Sequence, residues 1–278
     1  SLRFNSGDSA YLNRTPSAAG NRKTWTWSGW VKRSGLNDYQ YLFDCDSGSN
    51  PEETPIRFRP DGRLNVSAHT GTSQYKITST AKFRDASAWY HIVVAFDTTN
   101  ATADDRIKLY VNSAQITEFD ERTNPSQNTD YYVNSAIEHN IGRAGSGNFR
   151  YFSGYLADVH FIDGQALAPT DFGETDDNGV WQPKKFDGTY GTNGFHLDFA
   201  DNSSSSALGN DAAGGNNFTV NNLSVTAGAG NDSVVDSPSQ IAGQSDSGVG
   251  GEIVGNYATF NPLDKTSGIT LSDGNLKA

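Results

Sequence analysis

Apolar and polar residues alternate with a period of two through most of the first 162 residues, in runs too short for helices. Strand-length stretches at 1–4, 10–12, 25–32, 39–44, 56–59, 63–68 and 75–79 are divided by clusters rich in Gly, Asn, Asp, Ser and Pro, the pattern of many short strands joined by turns. In residues 25–32 (WTWSGWVK), alternation puts Trp25 and Trp27 on one face and Trp30 on the other. The area a tryptophan buries favours core packing there over a platform for stacking sugars.

Residues 89–97 (WYHIVVAFD) form a nearly continuous apolar strand, and residues 106–112 (RIKLYVN) direct Ile107, Leu109 and Val111 inward. Asn112-Ser113 supplies the turn toward 115–117, although Ser suits the positive φ of a tight hairpin less well than Gly. The stretch 152–162 completes a pattern that predicts an all-β, two-sheet sandwich with almost no helix.

From about residue 173 the composition shifts to Gly, Ser, Asn and Asp. Trp181, Phe186, Tyr190, Phe195, Leu197 and Phe199 still recur often enough to pack, and the last three alternate as a strand that can complete the sandwich. The chain therefore divides into a sandwich over 1–172, a segment packing on it over 173–202, and an extended arm over 203–278 leading toward a further β-domain. The arm is expected to need a neighbouring chain for order, and residues 269–276 read as a hairpin. Methionine is absent, so Ser1 is read as preceded by further residues.

A formal net charge of -11 argues against a nucleic-acid partner, since phosphate binding requires clustered Lys and Arg. No stretch approaches the roughly 18 apolar residues of a membrane helix, so membrane insertion is not expected. The one cysteine, Cys45, cannot form an intrachain disulfide and reads as a buried strand residue.

The ordered series WYHIVVAFD (89–97), KLYVN (108–112), IGR (141–143) and FSGYLADVHF (152–161) resembles the laminin-G and pentraxin group of the concanavalin A-like lectin and glucanase superfamily. The resemblance spans about 1–172 and implies an antiparallel jelly roll. A narrower likeness lies in SLRFNSGDSAYL (1–12), FGETDDNGVWQPK (172–184), YGTNGFHLDF (190–199) and ALGNDAAGGNNF (207–218), which resemble tail-fibre and other virion proteins of tailed, particularly marine, phages. It implies display on a virion surface, partners among other virion proteins contacted through 173–278, and a homo-oligomer, with a trimer expected from fibre symmetry.

Glucanases of that superfamily carry Glu-x-Asp-x-x-Glu or Glu-x-Asp-x-Glu. The nearest segment here, 118–122 (EFDER), turns Glu121 away from Glu118 and Asp120 and puts Arg122 on their face. No G-x-S-x-G elbow is present, and the five histidines show no zinc spacing. His91 and His160 alternate with apolar residues and read as hydrogen-bonded sheet residues. The chain is therefore expected not to be an enzyme.

The resemblance implies calcium as the metal to consider, held by rim oxygens. Asp44 with Asp46 and Asn50, and Asp97 with Asp104 and Asp105, are the candidate clusters, although Asp in turns also caps backbone N–H groups. For a glycan ligand, Tyr131, Tyr132, Phe149 and Tyr151 are aromatics in polar loops, able either to stack on a sugar or to plug the core or a subunit contact. The functional expectation is a virion protein displaying a lectin-like domain for attachment to glycans. A capsid or tail decoration without a sugar site, and a secreted bacterial glycan-binding or glycan-cleaving protein, are the alternatives.

Overall fold

Among the described residues the period-two pattern is realised as seventeen strands: β1 (Leu2–Phe4), β2 (Tyr11–Arg14), β3 (Thr24–Arg33), β4 (Gln40–Asp46), β5 (Ile56–Phe58), β6 (Arg63–His69), β7 (Ser73–Lys82), β8 (Trp89–Asp97), β9 (Ile107–Val111), β10 (Ala114–Gln115), β11 (Phe119–Thr123), β12 (Glu138–Ile141), β13 (Gly154–Asp163), β14 (Gly173–Thr175), β15 (Trp181–Pro183), β16 (Phe195–Leu197) and β17 (Thr219–Asn221). The structure is a computed structural model describing residues 1–46, 53–69, 73–145, 150–228, 230–234, 238, 260, 262, 265–266, 268–272 and 274–275. Helix among the described residues is confined to short 3-10 turns, the longest being Ser205–Gly209.

Sheet A has seven strands in the order β1-β13-β3-β8-β9-β10, with β16 sharing the β13 edge with β1. Sheet B has eight, ordered β11-β7-β6-β5-β4-β12-β2-β17. Every pairing in both sheets is antiparallel, and together the sheets make the jelly-roll sandwich the alternation predicts.

The inner faces interlock around Trp25, Trp27, Tyr75, Phe43, Phe58 and Phe96, all buried. Trp25 stacks on Phe96 with ring centroids 4.7 Å apart. Ile107, Leu109 and Val111 face this core. The β9–β10 turn places both Asn112 (φ 48°) and Ser113 (φ 68°) in the left-handed region, the primed turn whose twist matches its flanking strands. Ser113 adopts the conformation that the side-chain argument disfavours, because the hairpin register leaves no alternative.

Sheet A is covered on its outer face as well, which explains why β3 is buried along both sides. Residues 165–190 run across it and satisfy its polar positions. Thr26 Oγ1 donates to the Gln165 carbonyl (2.7 Å) and accepts from the Leu167 N–H (2.8 Å). Trp30, on this face, packs with Trp89, Tyr155, Trp181 and Val234.

The composition-based division of the tail is corrected over 203–234. The described residues of this stretch lie on the chain's own sandwich instead of extending from it. Leu208, Phe218 and Leu223 enter the main core, β17 pairs with β2, and Ser233 bridges Leu2. A Gly- and Asn-rich stretch can do this because widely spaced apolar anchors suffice when an open sheet edge awaits them. The hairpin expected at 269–276 falls partly outside the described residues, although Gly274 and Asn275 contact Tyr155 and Ser34.

Candidate functional site

Polar residues inside strands have to be satisfied, and in sheet B most of them share one face. Phe43 and Cys45 point inward from β4, Ile56 and Phe58 from β5, Leu64 and Val66 from β6, Leu12 from β2 and Ile141 from β12. The intervening Asp44, Asp46, Arg57, Asn65, Ser67, Asn13, Glu138 and Asn140 therefore line the outer face.

Among the described residues, two larger hydrogen-bonded groups occupy that face. In the first, Asn221 donates to Asn13 (2.8 Å), Asn13 to Glu138 (2.9 Å), and Arg143 to both Asn140 (2.8 Å) and Glu138 (2.8 Å). Burial raises the Glu138 carboxyl, but its hydrogen bonds from Asn13 and Asn140 and the Arg143 charge outweigh this and hold it below the usual carboxylate range. The Arg143 guanidinium lies 3.7 Å from the Tyr11 ring centroid, and Tyr11 packs against Tyr151. Gly142 makes the turn possible: its φ is 85°, and a Cβ there would meet the Phe4 ring at 2.5 Å.

In the second group Arg57 donates to Asn65 (3.0 Å) and Glu53 (3.0 Å) and to the Tyr41 hydroxyl, which donates to Glu53 (3.1 Å). Arg150 donates to the same hydroxyl at 3.1 Å. The guanidinium groups of Arg57 and Arg150 lie 4.9 and 4.6 Å from the Tyr39 ring centroid. Burial, reinforced by Glu53 and Asp44, pushes the Tyr41 hydroxyl up, so it stays a neutral donor and acceptor. Further along, Thr78 and Lys76 donate to Glu121 at 3.0 and 2.7 Å. Tyr39, Arg150, Tyr11 and Tyr151 reach solvent at the margin. The face thus offers aromatic rings, guanidinium forks, amides and carboxylates in fixed positions.

The expected site residues fare unequally. Tyr151 lies on this margin. Tyr131 is a core residue, packed edge-on against Tyr75 (4.9 Å) and Phe96 (5.9 Å) with its hydroxyl accepting from the Ser126 N–H, which corrects its reading as a ligand contact: a tyrosine in a polar loop can bury its ring and leave only the hydroxyl for the loop backbone. Tyr132 is half-buried against the same core. Phe149 and Asn50 lie outside the described residues.

Asp44 is buried with its two oxygens accepting from the Thr54 and Gly145 N–H groups. Burial and the nearby Glu53 raise its carboxyl. Asp46 is buried beside it on β4. Asp97 accepts from Thr99 in a local turn, Asp104 pairs with Arg122, and Asp105 pairs with Lys108. The structure does not gather these three into a metal-sized cluster among the described residues. In the EFDER segment, Glu121 pairs with Arg59 and Lys76, and Asp120 with Arg63.

Tyr11, Tyr39, Arg57, Arg143 and Arg150 were not singled out by sequence. Arg57 and Asn65 each interrupt an apolar run, which marks a polar face, but pairing alone brings the distant arginines onto it.

Residues 5–171 match the family described as the concanavalin A-like lectin/glucanases superfamily. Among solved structures, the fold is similar to a Bacteroides ovatus protein provisionally named as carbohydrate-binding, at 18% identity and a TM-score of 0.51, covering 79% of this chain and 57% of that one. It is also similar to a pentraxin from Limulus polyphemus (19% identity, TM-score 0.42, 57% of this chain and 71% of that one) and to domains LG4-5 of the mouse laminin α1 chain (13% identity, TM-score 0.43, 60% and 43%). No curated protein matches the sequence.

Proposed function

This chain belongs to the concanavalin A-like lectin/glucanases superfamily, and we propose that it is a non-catalytic module that binds glycans on the outer face of sheet B. One observation carries the reading: Tyr39, Tyr41, Glu53, Arg57 and Arg150 form a connected group at the margin of that face. A sugar presents a C–H face that stacks on an aromatic ring and an edge of hydroxyls that pair with charged, planar groups. Because these side chains already brace one another, little side-chain entropy remains to be lost on binding.

A glycan array probed with the purified chain tests this, followed by titration of the captured sugar. Arg150→Ala and Tyr39→Ala are expected to abolish binding with an unchanged urea midpoint, and the captured glycan should release no reducing ends on incubation. Undiminished binding by both variants would move the site elsewhere.

The finer setting we propose is the exterior of a tailed-phage virion, supported by the likeness of segments 1–12, 172–184, 190–199 and 207–218 to phage tail proteins. Since 203–234 lie on the sandwich, the setting draws no support from a free arm. Antibody labelling of particles produced from the encoding genome tests it: label on the exterior supports the setting, and unlabelled particles favour a secreted glycan-binding protein.

A further inference from the structure

Sheet A carries a separate grouping on its outer face, independent of the glycan reading. Asp158, His160 and His196 each offer one metal-capable atom within 4.8 Å of the other two. β16 pairs with β13 so that His196 lies directly opposite His160, a cross-strand position whose Cβ atoms sit about 4.5–5.5 Å apart. The third member comes from a bulge in β13, where the register against β3 shifts between Ala157 and His160. Asp158 takes a left-handed φ of 45° there, and its carboxylate lies 3.2 Å from His196 Nε2. Bulges commonly re-aim a side chain in this way.

The surroundings of His160 suit a ligand. Its Nδ1 lies 2.9 Å from the Tyr190 hydroxyl, while its Nε2 has no hydrogen-bond partner among the described residues. A metal-bound histidine typically donates its second ring N–H to an oxygen that fixes the tautomer, and Tyr190 supplies such an oxygen. The side chains of Asp158 and His196 remain 36% and 22% exposed, leaving a route from solvent. The two imidazoles stack with centroids 4.1 Å apart at 12°, so their in-plane lone pairs do not yet converge. The more exposed His196 ring must rotate for both to reach one ion.

We infer that Asp158, His160 and His196 bind a divalent transition ion of the zinc class, with water filling the remaining position. Two imidazoles and one carboxylate make a mixed nitrogen and oxygen set, which suits zinc and disfavours calcium, an ion that takes oxygen ligands. The ion would clamp β16 to β13. It would thereby fasten the chain that follows residue 171 to the sandwich.

Calorimetric titration of the intact chain with zinc chloride, backed by a zinc-edge anomalous map from soaked crystals, tests the site. The expected result is one ion per chain, an anomalous peak within bonding distance of all three side chains, and binding at least ~10-fold weaker in His196→Ala and in Asp158→Asn. Excess calcium should not displace the zinc, and His69→Ala should leave the affinity unchanged. Should His196→Ala fail to fold, Asp158→Asn, a change at a part-exposed carboxylate, decides the matter. Absence of binding, affinity unchanged in the folded variants, or a peak elsewhere overturns the assignment.

Discussion

Arg3 and Asp232, separated by 229 positions in sequence, form a buried ion pair in which Nη2 and Nε each lie 3.1 Å from Oδ1. The pair ties the first strand to the segment after β17, and the Arg3 N–H donates to the Asp232 carbonyl at 2.8 Å. Removing one partner of a buried pair leaves an uncompensated charge, at about 3–5 kcal/mol. Asp232→Ala should lower unfolding stability by roughly that amount in urea titrations.

Ending the chain after Asn202 removes more. Leu208, Phe218 and Leu223 leave the main core, β2 loses its β17 partner, and Arg3 loses Asp232. At about 1.5–3 kcal/mol per buried apolar side chain, the three side chains alone approach the whole stability of an ordinary domain. The truncated chain is expected to be insoluble or unfolded by circular dichroism. A fully stable product would mean that this segment is dispensable.

His91 and His139 are locked neutral. Trp181 Nε1 donates to His91 Nδ1 (3.0 Å), leaving His91 Nε2–H for Ser28 (2.8 Å). His139 Nε2 accepts from the Asn134 N–H (3.0 Å), and its Nδ1 lies 2.8 Å from the Ile137 carbonyl. Burial pushes His91 down to about 3 and His139 down to about 4. Both folded values lie below the unfolded one, so the unfolded chain takes up protons first as pH falls below about 6.5. Each histidine then removes about 1.4 kcal/mol of stability per pH unit until its folded value is reached. Asp44 and Asp232, whose carboxyls are raised mainly by burial, act in the opposite direction. Replacing either histidine with glutamine should therefore remove one proton's worth of the destabilisation that wild type suffers between pH 6 and 4, read as a change in the slope of urea midpoint against pH.

Trp181→Phe keeps an aromatic ring over the Trp30 cluster but deletes the donor to His91. An unsatisfied buried acceptor costs about 1–3 kcal/mol, and the loss should appear in the urea midpoint. Glycan binding on the opposite sheet should be unaffected.

Tyr131, packed in the core against Tyr75 and Phe96, allows core packing to be tested apart from the proposed glycan site. Tyr131→Ala opens a cavity against Tyr75 and Phe96 and should destabilise the protein by about 3–5 kcal/mol, while the glycan affinity of the remaining folded fraction stays unchanged. Arg150→Ala should do the reverse.

Period-two alternation determined the sandwich and its inner face. Trp25, Trp27, Ile107, Leu109 and Val111 all lie where a strand of that phase must put them, because the pleat admits two directions and only one is dry. The same rule made Phe195 and Leu197 legible as a strand far along the chain. Tertiary structure decided what alternation cannot carry: which strands become neighbours. Pairing set His196 opposite His160, drew Arg57 and Arg150 to Tyr39, and brought Asp232 back to Arg3, each a contact between segments far apart in sequence. It also made Tyr131 a core residue and turned the expected arm over 203–234 into part of the domain. Local sequence measures how polar a segment is, whereas burial depends on the surface the rest of the chain leaves open to receive it.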